Sequence, residues 1–249
     1  MISQALKAFA NILMDPERYQ VFLAFISDWH QLPQDHFLKK YKRVLEPVID
    51  VDSYLGNPEI IDEQVVFLAL ATHHRYIYSV DWSGEEYPGQ IKRAIGGMLK
   101  LHFNIEAYRW KKVSIDLQNI KRGDYLPLLF KLLNNDLEDH GFSIGFFDTA
   151  DDEYHYFVME TNNFQKLLEL QDTTLKIVDT KTYQLYLTGG FSAKIVVYLK
   201  NKFAIPLNEI KAFIAKGDIL METGNRNFIA HHQQLIHDMG GETLIQEML

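Results

Sequence analysis

The strongest constraint on this chain is a change of hydrophobic rhythm near residue 75. Before it, apolar residues recur at helical spacing. Asp15-Pro16-Glu17 opens a helix, with a capping carboxylate, a proline in the first turn and an acid at the positive end of the dipole. Tyr19, Phe22, Leu23 and Ile26 follow on one face. Phe37, Leu38, Tyr41, Val44 and Leu45 form a second stripe ended by Pro47, and Asn57-Pro58-Glu59 reads as the start of a third helix running through 65–71. Residues 1–14 are mildly amphipathic.

After residue 75 the period shortens. Residues 76–82 are rich in aromatic and β-branched side chains and read as a strand. Ile91, Ile95, Met98 and Leu99 then mark a helix, and 108–115 a further strand. Residues 126–137 are apolar nearly all round, which predicts a buried helix. Residues 142–147 and 154–159 read as two strands around an acidic turn, 163–170 as a helix and 175–178 as a strand. Helices followed by mixed strands and helices predict an α+β fold.

Residues 183–249 carry a pattern of their own. A strand at 184–188, helices at 192–203 and 206–216, a strand at 219–222, a helix at 225–239 and a strand at 242–246 give the order βααβαβ. In the last helix, Phe228, His232, Leu235 and Met239 are expected to face inward, and Gly240-Gly241 closes it. Charge divides at the same place. The chain's net −8 lies wholly in residues 1–182, with 19 bases against 27 acids, while 183–249 carry six of each. Two domains are therefore expected, 1–180 and 183–249.

Composition narrows the function classes. With 47% apolar and 13% aromatic residues the chain is not of the disordered class, and with no cysteine it has neither disulfides nor thiolate metal ligands. Net acidity disfavours nucleic acid. The longest uncharged apolar stretches, 20–27 and 64–72, fall short of the ~20 residues of a membrane span. No secretory signal pattern is found, so a cytoplasmic location is expected. The G-x-x-x-x-G-K-[ST], G-x-G-x-x-G and G-x-S-x-G patterns do not occur.

Two acidic groups are the candidates for ligand binding. Asp81, Trp82 and Glu85 follow a strand end, where α/β proteins often place sites. Asp148 and Asp152, with Asp151 and Glu153, crowd a hairpin turn. Oxygen-rich turns can bind calcium or magnesium, but this one lacks the calcium-loop spacing, and Asp is favoured in turns for its bonds to backbone N–H groups. His231, His232 and His237 share a helix, with His237 six and five residues from the other two, spacings unsuited to converging on a metal. No metal, cofactor or catalytic residue is expected. The stretch from Thr188 to Ser192 reads as glycines turning a strand into a helix, or as an anion cradle at the helix start. Tyr108-Arg109-Trp110-Lys111-Lys112 reads as a solvated strand edge.

The βααβαβ region resembles the C-terminal domain of the bacterial ribosomal stalk protein. The likeness rests on Gly190 with Lys194, on Leu207-Asn208-Glu209-Ile210-Lys211, and on Met239-Gly240-Gly241-Glu242 before the last strand. It differs at Ala193, where the family usually has asparagine, and at Ala204-Ile205-Pro206, which replaces a glycine-rich joint. The resemblance implies a bacterial protein whose first two C-terminal helices dock a protein partner, a translational GTPase in that family. Lys194, Lys202, Glu209 and Lys211 fall on the matching positions. More faintly, 81–85 (Asp-Trp-x-Gly-Glu) and 148–154 (Asp-x-x-Asp-Asp-x-Tyr) make residues 1–180 similar to uncharacterised bacterial domains. The expectation is an interaction or adaptor protein without catalysis. Its alternatives are a ligand-binding protein or enzyme using the acids, and an immunity-type binder of a basic toxin.

Overall fold

The structure is a computed structural model that describes residues 2–57, 61–111, 115, 125–149, 152–170, 175–224 and 226–248. The chain falls into two compact units, Met1–Ile177 and Val178–Leu249. The fold is α+β, with two antiparallel sheets and helices packed on each.

Six helices come first: α1 (Gln4–Leu13), α2 (Pro16–Gln31), α3 (Gln34–Lys40), α4 (Lys42–Leu45), α5 (Val51–Tyr54) and α6 (Glu63–His73). The mild amphipathicity of 1–14 proves to be a full helix. Ser3 caps it by accepting from the Leu6 N–H, and Leu6, Phe9, Ala10 and Leu13 are buried along one face. Asp15 caps α2 through the Arg18 N–H, as the sequence predicts. The second stripe is broken at Tyr41, where φ −110° and ψ 18° leave helical geometry, so α3 and α4 are separate. The third helix starts later than expected. Asp62 caps α6 through the Val65 N–H, and part of the Asn57-Pro58-Glu59 signal lies outside the described residues. Val66 to Ala71 are all buried, which makes α6 the central helix of this half.

Next come β1 (Tyr78–Asp81), α7 (Gln90–Phe103), α8 (Tyr125–Glu138), β2 (Phe142–Phe147), β3 (Glu153–Glu160), α9 (Thr161–Leu168) and β4 (Ile177–Asp179). The sheet order is β1-β3-β2-β4, with β3 antiparallel to both β1 and β2. Alternation sends the two faces to different helices. Phe147 and Phe157 meet Phe9 of α1 at 6.1 and 5.2 Å, and Phe9 meets Phe67 of α6 at 5.0 Å. On the other face, Phe130 of α8 meets Phe146 and Tyr156 at 4.8 and 5.0 Å. Gly145 leaves room for the Phe157 and Phe164 rings, each 2.5 Å from where a Cβ would stand.

Two expectations for this half are corrected. Residues 108–111 are not a strand. The Tyr108 hydroxyl donates to the Asp136 carbonyl oxygen and the Lys111 N–H to the Asp136 carboxylate, so the segment is tied to α8 by a side chain and one backbone donor instead of by a ladder. The α8 helix is not buried all round, because Leu128 faces solvent.

The second unit contains β5 (Tyr183–Gly189), α10 (Ala193–Phe203), α11 (Ile210–Ile214), β6 (Ile219–Gly224), α12 (Arg226–Asp238) and β7 (Glu242–Glu247). The order is βααβαβ, and the sheet order is β6-β5-β7, antiparallel throughout. Leu185, Leu187, Ile195, Leu199, Ile219 and Met221 are central to its core. The second helix is a single short stretch rather than 206–216. The inward face of α12 also differs from expectation. Phe228 and Leu235 are 42% and 39% exposed, whereas Ile229 and Ile236, one position further on, are buried. A one-residue step rotates a helix position by ~100°, and the Phe228 ring has settled against Gly224, whose missing Cβ makes the space.

Candidate functional site

Antiparallel pairing brings the first acidic group to one end of the four-stranded sheet. Asp81 at the end of β1 stands opposite Glu153 at the start of β3. The Trp82 N–H donates to the Asp152 carbonyl oxygen at 3.2 Å. Asp81 is exposed, and its carboxylate accepts from the Ser83 N–H at 2.7 Å, tying the turn after β1. Asp148 follows β2 at the same sheet end, where its N–H donates to the Lys176 carbonyl oxygen at 2.9 Å. Trp82 is 38% exposed beside these acids. Asp151 lies outside the described residues.

Glu85 is directed elsewhere. Its carboxylate accepts from the N–H groups of Gly89 and Ile91, at 3.3 and 2.8 Å, and from the Tyr125 hydroxyl at 3.1 Å. It therefore caps α7, whose N-cap residue Gly89 has no side chain to do so. Burial, then the Glu85 charge, push the Tyr125 phenol up. A cavity of about 240 Å³ opens here between Glu85, Lys92, Tyr125 and Leu129.

Sequence reasoning missed one pair at the sheet end. Ser79 and His155 are register partners on β1 and β3, and Ser79 Oγ lies 2.6 Å from His155 Nδ1. His155 is 4% exposed, and a Glu153 carboxylate oxygen lies 4.0 Å from the same nitrogen. A hydroxyl bonded to a histidine nitrogen is the elementary arrangement for drawing a proton from a nucleophile. No local signal could have found it, because the two residues lie on strands 76 positions apart. Among the described residues, no three His, Asp or Glu side chains are placed to hold a metal ion.

In the second unit, Ser192 caps α10 by accepting from the Ile195 N–H, and its hydroxyl donates to the Met239 carbonyl oxygen at 2.6 Å. Gly190 turns the strand into this helix at φ +67°. Lys194, Glu209 and Lys211 are exposed. Lys202 instead ion-pairs with Glu222 of β6, and His232 Nδ1 lies 3.5 Å from the same carboxylate. The structure thus separates Lys202, which is ion-paired, from Lys194 and Lys211. Ile195 and Leu199 anchor α10 in the core, which turns Lys194, Val197 and Lys200 outward. Val197 is 55% exposed, and Leu207, just before α11, is 61% exposed.

No helix among the described residues is long and apolar enough to cross a membrane. No curated protein and no solved structure matches the chain. Residues 183–249, expected from the sequence to resemble the stalk domain, thus find no counterpart in these comparisons. For the first unit there is one, in keeping with the fainter likeness carried by 81–85 and 148–154. A family described as "Domain of unknown function (DUF6630)" matches residues 5–179, well over half of the sequence, and the chain belongs to that family.

Proposed function

We propose that this is a bacterial cytosolic interaction protein with two domains, 1–180 and 183–249, and that the second docks a protein partner. One observation carries the reading furthest. The outward surface of α10 and the start of α11 exposes Val197 and Leu207 by more than half. Lys194, Lys200 and Lys211 are exposed in the same stretch and make no ion pair among the described residues. Isolated apolar side chains on a surface are ordinary. Two large ones amid unpaired lysines suit a partner with an apolar patch rimmed by acids, since charge complementarity sets encounter and register. The βααβαβ order is the second support, because it is that of the stalk domain the sequence resembles.

The test is capture with the full chain as bait. Lys194→Glu with Lys211→Glu should abolish retention of the partner, and Val197→Ser should weaken it. Lys202→Glu acts on the Glu222 ion pair instead. Capture unchanged by the double reversal would overturn the reading. Binding to a purified translational GTPase tests its narrowest form.

A second reading has a specific observation behind it. The Ser79–His155 hydrogen bond, with Asp81, Asp148 and Asp152 at the same sheet end, suits a small-ligand or acid–base site in the first domain. Saturable chemical-shift changes confined to these residues in a screen of small amines and alcohols would favour it over docking.

A further inference from the structure

Four of the 25 basic residues fall within five positions, at Lys39, Lys40, Lys42 and Arg43, in a chain of net charge −8. They sit where α3 breaks and α4 begins. The break at Tyr41 opens a concavity of about 420 Å³ lined by these four cations, Tyr41, Val44 and Glu46.

The four cations are not equivalent. Lys40 is paired with Asp28, which also accepts from the Tyr41 hydroxyl. Lys42 is paired with Asp52 at 2.7 Å and lies 3.7 Å from Glu46. Those contacts hold two of the ammonium groups in ion pairs. Lys39 and Arg43 are exposed and have no ionic partner among the described residues. One lysine and one guanidinium are therefore unspent at the rim, while Tyr41 and Val44 supply an aromatic and aliphatic wall. The volume is that of a small-molecule site and well above what a bare oxyanion fills.

We propose that this concavity binds a small organic phosphate, with Lys39 and Arg43 as its primary phosphate contacts and its organic body against Tyr41 and Val44. Guanidinium and ammonium groups together suit a phosphate, the first by a planar fork of donors and the second as a point charge. Glu46 also lines the concavity and draws on Lys42, 3.7 Å away, which leaves Lys39 and Arg43 to meet a dianion. A long polyanion is the poorer fit, because the basic surface spans one helix break inside an acidic chain.

Phenyl phosphate is the probe, titrated into the full-length protein and followed by backbone amide shifts. Saturable shifts at 39–46 are expected, weaker for inorganic phosphate and absent for phenol. Lys39→Gln with Arg43→Gln should weaken binding at least about tenfold, since each charged hydrogen bond carries about a tenfold factor or more. Both side chains are exposed and unpaired, so the variant should keep the wild-type amide spectrum elsewhere. Lys216→Gln, in the second unit, should leave the affinity unchanged. No saturable shift at 39–46 up to millimolar phenyl phosphate, equal binding of phenol, or undiminished affinity in the double variant would overturn the proposal.

Discussion

Gly190→Ala should unfold the second unit far more readily than Gly189→Ala, although the two glycines are adjacent. Gly190 sits at φ +67°, where an L-residue costs about 1–2 kcal/mol. A Cβ there would stand 2.3 Å from the Gly240 carbonyl oxygen and 2.9 Å from the Glu242 nitrogen and the Gly241 Cα. All three are backbone atoms of the turn leading into β7, so none can rotate away, and forced overpacking adds about 1–3 kcal/mol. The expected loss is about 2–5 kcal/mol. At Gly189 the nearest atom to a new Cβ is the Glu242 Oε2 at 2.5 Å, the free end of a flexible side chain. That carboxylate can swing away, so Gly189→Ala should stay within about 0.5 kcal/mol of the parent. Hydrogen exchange of peptides from 183–248 in the full chain measures both. A Gly190→Ala loss no greater than that of Gly189→Ala would refute the account of the double glycine as a backbone-to-backbone contact.

Two further outcomes follow from the cores. Phe9→Ala should cost about 3–5 kcal/mol, and Phe9→Leu clearly less because it leaves a smaller void, since the ring is fully buried among Phe67, Phe147 and Phe157. Urea unfolding followed by tryptophan fluorescence is the measurement, since Trp29, Trp82 and Trp110 all lie in the first unit. Asp179 is 6% exposed, and burial raises its pKa despite hydrogen bonds from the Tyr183 hydroxyl and the Lys181 N–H. The folded state therefore holds that proton more tightly than the unfolded one. The associated stability is present below the ordinary value of 3.8 and is lost as pH rises from there through the folded pKa. Asp179→Asn should remove this acid-range slope in thermal melts of the second unit and leave neutral-pH stability equal or higher. A slope unchanged in the variant would assign it to other groups.

Much of the local structure was legible because it has local causes. The Asp15-Pro16-Glu17 start, the hairpin strands around 148–153 and the βααβαβ order follow from caps, periodicity and glycine punctuation. The failures share one cause as well. Phe228 and Leu235 are as apolar as Ile229 and Ile236, and only packing on the sheet selects which pair goes inward. Residues 108–111 have strand-like composition, but Asp136 of α8 takes the Tyr108 hydroxyl and the Lys111 N–H. Among the candidate acids, Asp81 and Asp152 come to the same sheet end because β1 and β3 are antiparallel neighbours, with Asp81 opposite Glu153 and Trp82 bonded to Asp152. Glu85 departs because a helix start without its own cap needs a carboxylate.

By itself, the sequence determined the α+β class, the helical first part, the contrast in charge between the two halves and the absence of thiol chemistry. These depend on residues near in the chain or on simple totals. Tertiary structure alone decided that Ser79 lies against His155, that Lys202 is tied to Glu222 while Lys194 is not, and that a helix break opens a basic hollow beside Lys39 and Arg43. Each is set by strand register, helix rotation or a local bend. Those quantities are fixed by packing free energy summed over many distant residues, which no short stretch of sequence contains.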